Sequence, residues 1–191
     1  MNKTVRAYQR LLVKVGFPIK VDGKFGQNTK QAVLDFQRGF AFWNLKVTGR
    51  LDLKTKAAIR YSAARGGKTS AHFYFREFKS KGNGWIKVNR ALVRALEKLR
   101  RYGRVSILSG YRDPRHNQNV GGASSSQHMY GTAADLISPH APLNYVRNLK
   151  VFSGIGVSRA TGRVIHVDVR HAGPNNTTGG SPSAPTIWYY G

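Results

Sequence analysis

Two short stretches, far apart in this 191-residue chain, hold the residue types best suited to bind a metal ion. The first, SQHMYGTAAD from Ser126 to Asp135, places His128 and Asp135 seven residues apart on either side of a glycine. The second, RVIHVDVRH at 163 to 171, supplies His166, Asp168 and His171. The chain contains no cysteine, so a zinc ion would have to use imidazole and carboxylate ligands. The two stretches form a metal site only if the fold brings them together.

The chemistry of such a site follows from the number of its ligands. His128, Asp135 and His171 offer two nitrogens and one oxygen, which leaves the fourth tetrahedral position for water. Zinc lowers the pKa of that water toward ~7 and polarises a substrate carbonyl. Asp168, three residues before His171, is then suited to accept the proton of the water and pass it to a leaving amine.

The charge balance predicts attraction to a polyanion. Thirty-two Lys and Arg residues against eight acids give a formal net charge of +24. Nucleic acid, anionic lipid and an anionic cell wall all fit this charge, and a solubilising cationic surface is the plainer alternative. We expect no nucleic-acid partner, because no helix or strand motif that reads bases is found. No run approaches the ~18 apolar residues of a membrane span.

Residues 1–65 predict a small module of three short helices. Val5, Tyr8 and Leu12 recur at helical spacing, and Gly16 ends the pattern. A loop VDGKFGQNT at 21–29 leads into a second helix, and its weaker copy VTGRLDLKT at 47–55 leads into a third. The pattern, with AVLDFQ at 32–37, resembles the peptidoglycan-binding three-helix domain family.

This resemblance implies that the first loop contacts the cell wall. The loop residues that fall in the family pattern are Asp22, Gly23, Phe25 and Thr29. For most of them, shaping the loop and capping a helix is the simpler interpretation. Residues 66–70, GGKTS, are small, polar or glycine and predict a linker to a second domain at 71–191.

The second domain predicts a central antiparallel sheet with flanking helices, so the whole chain is expected to be α+β. HFYFREFKS at 72–80 indicates an extended start, and a helix begins at Asn89. Apolar runs predict strands at 105–108, near 135, at 154–157 and at 164–170, with a short helix at 143–152. Alternation places His166 and Asp168 on the same face of the last strand. The tail to residue 191 is expected to be irregular, with its WYY segment docking on the body.

Three motifs of this domain resemble one enzyme family. SGYRDP at 109–114, the pattern SxHxxGxAxD at 126–135 and HxDxxH at 166–171 are similar to the zinc D-Ala-D-Ala carboxypeptidase family of peptidoglycan peptidases, which includes many phage endolysins. The resemblance implies one zinc ion. It assigns roles as follows: zinc ligands His128, Asp135 and His171; general base Asp168; substrate or oxyanion contacts Arg112, His166 and Ser126.

One alternative remains open within this motif. Some relatives end in a shorter HxD pattern, in which His166 itself would be the third ligand. We favour His171 at this point, because the complete HxDxxH separates the base from the ligand.

The two resemblances converge on one substrate. They imply zinc-dependent hydrolysis of a peptide bond in bacterial peptidoglycan, with other anionic envelope polymers or the outer membrane as further partners. The alternative is a non-catalytic cell-wall-binding protein with a structural zinc domain. The first residues lack a small-residue cleavage site, so no secretory signal is expected. We therefore expect a monomeric phage endolysin, made in the host cytoplasm and released to the wall through a holin, with a bacterial enzyme as the alternative.

Overall fold

The structure, a computed structural model, describes residues 2–137, 140–174 and 179–191. It confirms the predicted α+β class. The N-terminal module consists of α1 (Lys3–Val15), α2 (Gln27–Gly39) and α3 (Leu53–Ala64). Asn2 and Asp52 cap the first and third helices, because their side chains accept backbone N–H groups of the first turn.

The first loop of the module is organised around the buried side chain of Gln9. The Gln9 amide donates to the Asp22 carboxylate at 2.9 Å and to the Thr29 hydroxyl at 3.0 Å. Its oxygen accepts the backbone N–H of Gly23 at 2.7 Å. Gly23 adopts a φ of 75°, a conformation that glycine reaches at little cost.

The second loop repeats this arrangement around Gln37 of α2. The Gln37 amide donates to the Thr48 hydroxyl at 3.3 Å and to the Thr55 hydroxyl at 2.9 Å. Its oxygen accepts the N–H of Gly49, whose φ is 70°. The weak repeat in the sequence is therefore a structural repeat. In each copy, one buried glutamine forms hydrogen bonds with backbone groups of the loop.

The four loop residues that were expected to contact the cell wall differ in how exposed they are. Asp22, Gly23 and Thr29 hold the loop together, and Thr29 is buried. Phe25 is different, because its ring is 41% exposed. Of these four residues, Phe25 presents the largest exposed side chain to a partner.

The predicted linker is packed against the module and is not a free tether. Thr69 and Ser70 are buried. The Thr69 hydroxyl donates to the Gly39 carbonyl at 2.5 Å, and the Ala41 N–H donates to the Thr69 carbonyl at 2.9 Å. Thr69 of this linker thus forms hydrogen bonds with backbone groups at and just after the end of α2.

The module and the second domain share one apolar core. Phe36 of α2 stacks on Phe75 of the second domain with ring centroids 5.2 Å apart. The indole N–H of Trp85 donates to the Asp35 carboxylate at 2.9 Å, and Arg90 donates to the Gln37 carbonyl at 2.9 Å. These contacts hold the two parts in a fixed orientation.

Within the described residues, the second domain has one five-stranded sheet and three α-helices. The helices are α4 (Arg90–Leu99), α5 (Pro114–Asn119) and α6 (Leu143–Asn148). The strands are β1 (Ile107–Ser109), β2 (Ala133–Leu136), β3 (Gly154–Ser158), β4 (Val164–Asp168) and β5 (Thr186–Tyr190). Their spatial order is β1-β2-β4-β3-β5, and every neighbouring pair is antiparallel except β3 and β5.

Two sequence expectations for this domain are wrong. The segment from Phe75 to Phe78 is a 3₁₀ helix and not an extended strand, because both phenylalanines point into the core at a spacing of three. The end of the tail is strand β5, which pairs in parallel with β3 and is not irregular, although its WYY segment docks on the body as expected. Part of the turn-rich tail, residues 175–178, lies outside the described residues. No helix in the described ranges is long and apolar enough to cross a membrane.

Candidate metal centre and cleft

Two paired strands and one short helix bring the candidate ligands together. In the β2–β4 ladder, Asp135 lies directly opposite His166. His128 arrives from a 3₁₀ helix, Gln127–Tyr130, that ends at Gly131 with a φ of 69°. Its ring therefore approaches the same edge of the sheet as Asp135 and His166.

The three side chains lie within mutual contact. Asp135 Oδ1 is 2.7 Å from His166 Nδ1 and 3.2 Å from His128 Nε2. The two ring nitrogens are 3.4 Å apart. Among the described residues, one group of three histidine and carboxylate side chains converges closely enough to hold a metal ion, and this is that group.

The spacing of these atoms fits a tetrahedral zinc site. Zinc–nitrogen and zinc–oxygen bonds of about 2.0–2.1 Å at tetrahedral angles separate ligand atoms by roughly 3.3 Å. Two of the three separations, 3.2 and 3.4 Å, are close to this value. The third, at 2.7 Å, is a hydrogen bond from His166 to Asp135 and must lengthen slightly when an ion binds.

A hydrogen bond behind the ring of His128 and an ion-pair contact behind the ring of His166 orient the two histidines toward this point. His128 Nδ1 lies 2.6 Å from the Gly110 carbonyl, so that nitrogen carries the proton and Nε2 is left to bind a metal ion. His166 Nε2 lies 3.6 Å from Asp168 Oδ2, while its Nδ1 faces the cluster. A carboxylate or carbonyl behind each ligating histidine is the usual support of a zinc ligand.

The structure does not bring His171 to the cluster. The chain leaves β4 and enters a 3₁₀ helix, Arg170–Ala172, which turns the exposed His171 away from the strand. Its Nδ1 contacts the Ser153 hydroxyl at 2.5 Å. The ligand set expected from the sequence is therefore corrected here from His171 to the alternative, His166. Strand register explains the change, because it places His166 opposite Asp135.

The surroundings of Asp168 also differ from those expected of a general base. Its side chain is fully buried, and both oxygens face Arg170, with Arg170 Nε 2.9 Å from Oδ1 and Nη2 2.6 Å from Oδ2. This carboxylate is among the residues that line the cleft, but both of its oxygens are held in the bidentate pair and it lies next to His166 Nε2. The geometry supports a role in orienting His166 more than the expected role of general base.

Arg112 and Ser126 both line the cleft above the cluster, as expected of substrate contacts. Arg112 follows β1 and hydrogen-bonds to the second carboxylate oxygen of Asp135 and, through Nε at 3.0 Å, to the Ser109 hydroxyl. Arg112 thus orients Asp135 while its guanidinium borders the cleft. Ser126 precedes the short helix of His128 and is half-buried.

The charges of the cluster follow from these contacts. Burial lowers the pKa of His128, which keeps that ring neutral. Burial also opposes the charge of His166, but hydrogen bonds to Asp135 and Asp168 outweigh it and raise the pKa of His166. For Asp135, burial is outweighed by its close contacts with His128 and His166, so its pKa lies far below the ordinary range.

The metal-free protein should lose stability in acid through Asp168. Burial is outweighed by hydrogen bonds from Arg170 and His166, which hold the pKa of Asp168 at about 2, below its ordinary 3.8. Because the folded pKa is depressed, the stabilisation is complete above the unfolded pKa and is lost as pH falls through the folded pKa. We expect the free energy of unfolding in chelator to fall by about 2 kcal/mol or more between pH 5 and pH 2.

Urea titrations at each pH would measure this loss, with Asp168→Asn as the comparison. The variant lacks the titrating carboxylate, so its stability should depend less steeply on pH in this window. Equal slopes for the two proteins would contradict the assignment.

Two glycines of β3 make room for the buried side chains of the site. A Cβ at Gly154 would lie 2.1 Å from the Asp168 carboxylate, and one at Gly156 would lie 2.9 Å from His166 Cβ. Any side chain at either position would displace these groups. The sequence interpretation missed this role, although the Gly-x-Gly spacing at 154–156 signals two missing side chains on one face of a strand.

The cleft above the cluster has a volume of about 690 Å³. Such a volume is typical of pockets that bind small molecules or short peptides. Loop residues 120–126 border it, and on the other side lie two aromatic residues of β5, Trp188 and Tyr190. The sequence interpretation missed these two as cleft residues, because it left the tail without regular structure.

The helical module and the sheet with its His–Asp–His cluster beneath a cleft define a two-part protein with a candidate metal centre. Residues 59–168 match the family model described as Peptidase M15, and residues 2–59 match a peptidoglycan binding domain model. The chain belongs to the peptidase M15 family.

A characterised relative is the zinc D-Ala-D-Ala carboxypeptidase of Streptomyces albus G. It is 33% identical over an alignment of 149 positions, and the match covers 68% of this chain and 57% of that protein. The chain thus spans just over half the length of that relative.

Proposed function

We propose that this protein is a zinc-dependent peptidase that hydrolyses a peptide bond in bacterial peptidoglycan. The observation that carries the proposal is the meeting of His128, Asp135 and His166 at near-tetrahedral spacing beneath an open cleft. The match to the M15 family, the similarity to the zinc carboxypeptidase and the match of the N-terminal module to a peptidoglycan binding domain support it.

The residues of the site have the following roles in this proposal. We assign zinc to His128, Asp135 and His166, with Asp168 and the Gly110 carbonyl fixing the two rings from behind. Zinc bound there would polarise a peptide carbonyl and acidify a water molecule.

Arg112 and Ser126 border the place where a peptide would lie. Arg112 offers a planar guanidinium with several N–H donors, so it is suited to a substrate carboxylate or a developing oxyanion.

Release of amino groups from purified peptidoglycan tests the proposal. The zinc-loaded protein should generate new amino groups, lose this activity in chelator and regain it on addition of zinc. Mass spectrometry of the fragments would identify the bond. Release that persists unchanged after the metal has been removed, or a zinc-loaded protein that only binds the wall, would overturn the proposal.

We also propose that the protein acts as a lytic enzyme of the endolysin type, which reaches the wall through a holin. Its net charge of +24 supports attraction to anionic envelope polymers. The shared core supports delivery of the cleft in one fixed orientation relative to the wall-binding module. If the charge targets the protein, raising the salt concentration should weaken wall binding before it weakens cleavage of a small soluble peptide.

A further inference from the structure

The C-terminal strand β5 places two aromatic residues against the candidate metal centre. Trp188 and Tyr190 lie on the same face of the strand, since side chains alternate along it. The Trp188 ring contacts the ring of His166 with centroids 5.1 Å apart, and Tyr190 lies 6.3 Å from Trp188. Neither residue belongs to the three motifs that indicate the metal site.

The main chain of β3 is shaped to admit these rings. Gly156 pairs with Trp188 in the parallel β3–β5 ladder. A Cβ at Gly156 would lie 2.6 Å from Tyr190 Cε2 and 3.1 Å from Trp188 Nε1, as well as 2.9 Å from His166. Both aromatic rings and the third ligand therefore meet above one glycine.

Tyr190 combines access to solvent with closeness to the charged groups of the site. Its side chain is 44% exposed and lines the cleft. Burial of the ring raises the pKa of its hydroxyl, a hydrogen bond from Trp188 opposes this, and the Asp135 and Asp168 carboxylates raise it further. The hydroxyl therefore stays protonated near neutral pH and can donate a hydrogen bond to a ligand.

Trp188 is placed differently. It is half-buried between His166 and the Arg170 guanidinium, whose central carbon lies 5.5 Å from the ring centroid. It covers the side of His166 that faces β5, while Asp168 holds the Nε2 end of that ring.

We propose that Trp188 and Tyr190 form the substrate-positioning wall of this cleft, with the Tyr190 hydroxyl donating to the peptide of the peptidoglycan stem and the Trp188 indole fixing the His166 ring. The inference rests on the proposed function for its substrate. Trp188 is a positioning residue, since it acts through His166, and Tyr190 contacts the peptide itself.

Substitution of three neighbouring aromatic residues separates these roles. Tyr190→Phe should raise the KM for a soluble stem peptide about 3- to 10-fold, the effect of losing one hydrogen bond, and leave zinc affinity unchanged. Trp188→Leu should lower zinc affinity about tenfold, because the third ligand is less well oriented. Tyr189→Phe is the matched control, since Tyr189 is 52% exposed and its ring contacts Arg159, away from the cleft.

Two measurements keep this inference distinct from the proposed function. Kinetics on the peptide report KM and kcat, and a fluorescence titration of the zinc-loaded protein with the same peptide reports binding without turnover. If the wild-type protein binds zinc but releases no product from the peptide, the proposed peptidase activity is overturned. The fluorescence titration then still tests whether Trp188 and Tyr190 position a bound peptide. If Tyr190→Phe binds the peptide as tightly as Tyr189→Phe does, the proposed hydrogen bond from Tyr190 is overturned. If Trp188→Leu binds zinc as tightly as the wild type does, the proposed role of Trp188 in fixing His166 is overturned.

Discussion

Replacing His166 by alanine should strongly weaken zinc binding and, with it, peptidase activity, whereas His171→Ala should retain both. The nitrogen of His166 lies 2.7 Å from Asp135 and 3.4 Å from the nitrogen of His128, while the ring of His171 contacts Ser153. A zinc-binding free energy of about 10–12 kcal/mol, at the lower end of the usual range, makes each of the three ligands worth about 3–4 kcal/mol. We therefore expect His166→Ala to weaken zinc affinity by about 100- to 1,000-fold.

Competition with a zinc-binding dye would measure these affinities. His171→Ala is a matched control, because it removes a second imidazole five residues along the same segment, and its affinity should stay within about threefold of the wild type. Circular dichroism would show that both variants fold. Loss of zinc in His171→Ala and retention in His166→Ala would restore the ligand set expected from the HxDxxH pattern.

Asp168→Asn is the second substitution with a large expected effect, and it separates two roles of one carboxylate. If Asp168 orients His166, the variant should lose about 10- to 100-fold in zinc affinity, and saturating zinc should restore much of the activity. If Asp168 is the general base, zinc affinity should be unchanged and kcat should fall by about 10²- to 10⁴-fold. The bidentate pair with Arg170 and the complete burial of Asp168 lead us to expect the first result.

The same variant should be less stable than the wild type. It removes the buried counter-charge of Arg170, and breaking a buried ion pair from one side costs about 3–5 kcal/mol. The double variant Asp168→Asn/Arg170→Gln should be less destabilised than the sum of the two single variants, because the pair is lost only once. Additive losses in urea unfolding would show that the two side chains are not coupled.

Local patterns in the sequence predicted a large part of the fold. Helical spacing and capping residues predicted α1 and α4, which begin after Asn2 and Asn89 and present their apolar faces to the core. Period-two alternation predicted that His166 and Asp168 share one face of a strand, and both approach the glycines of β3. These features depend on residues within a few positions of one another, so a single sequence carries them.

The tail shows where local patterns are insufficient. Its turn-rich composition predicts irregular structure, yet Thr186–Tyr190 pairs with β3 along its whole length. The hydrogen bonds of that strand come from residues about 30 positions earlier in the chain, and no local pattern near residue 188 records them. For this reason the aromatic side of the cleft became visible only in the structure.

The sequence by itself determined which chemistry is available: two stretches rich in histidine and aspartate, no cysteine, and an α+β chain with a helical module before them. Only the tertiary structure decided how these residues are used. By residue type, His166 and His171 are equally able to bind a metal ion. The β2–β4 register distinguishes them, because it pairs Asp135 with His166 and not with His171. Asp168 faces Arg170 because the chain turns after β4. Residue type sets the possible ligands, and pairing between distant strands sets their distances and hence their roles.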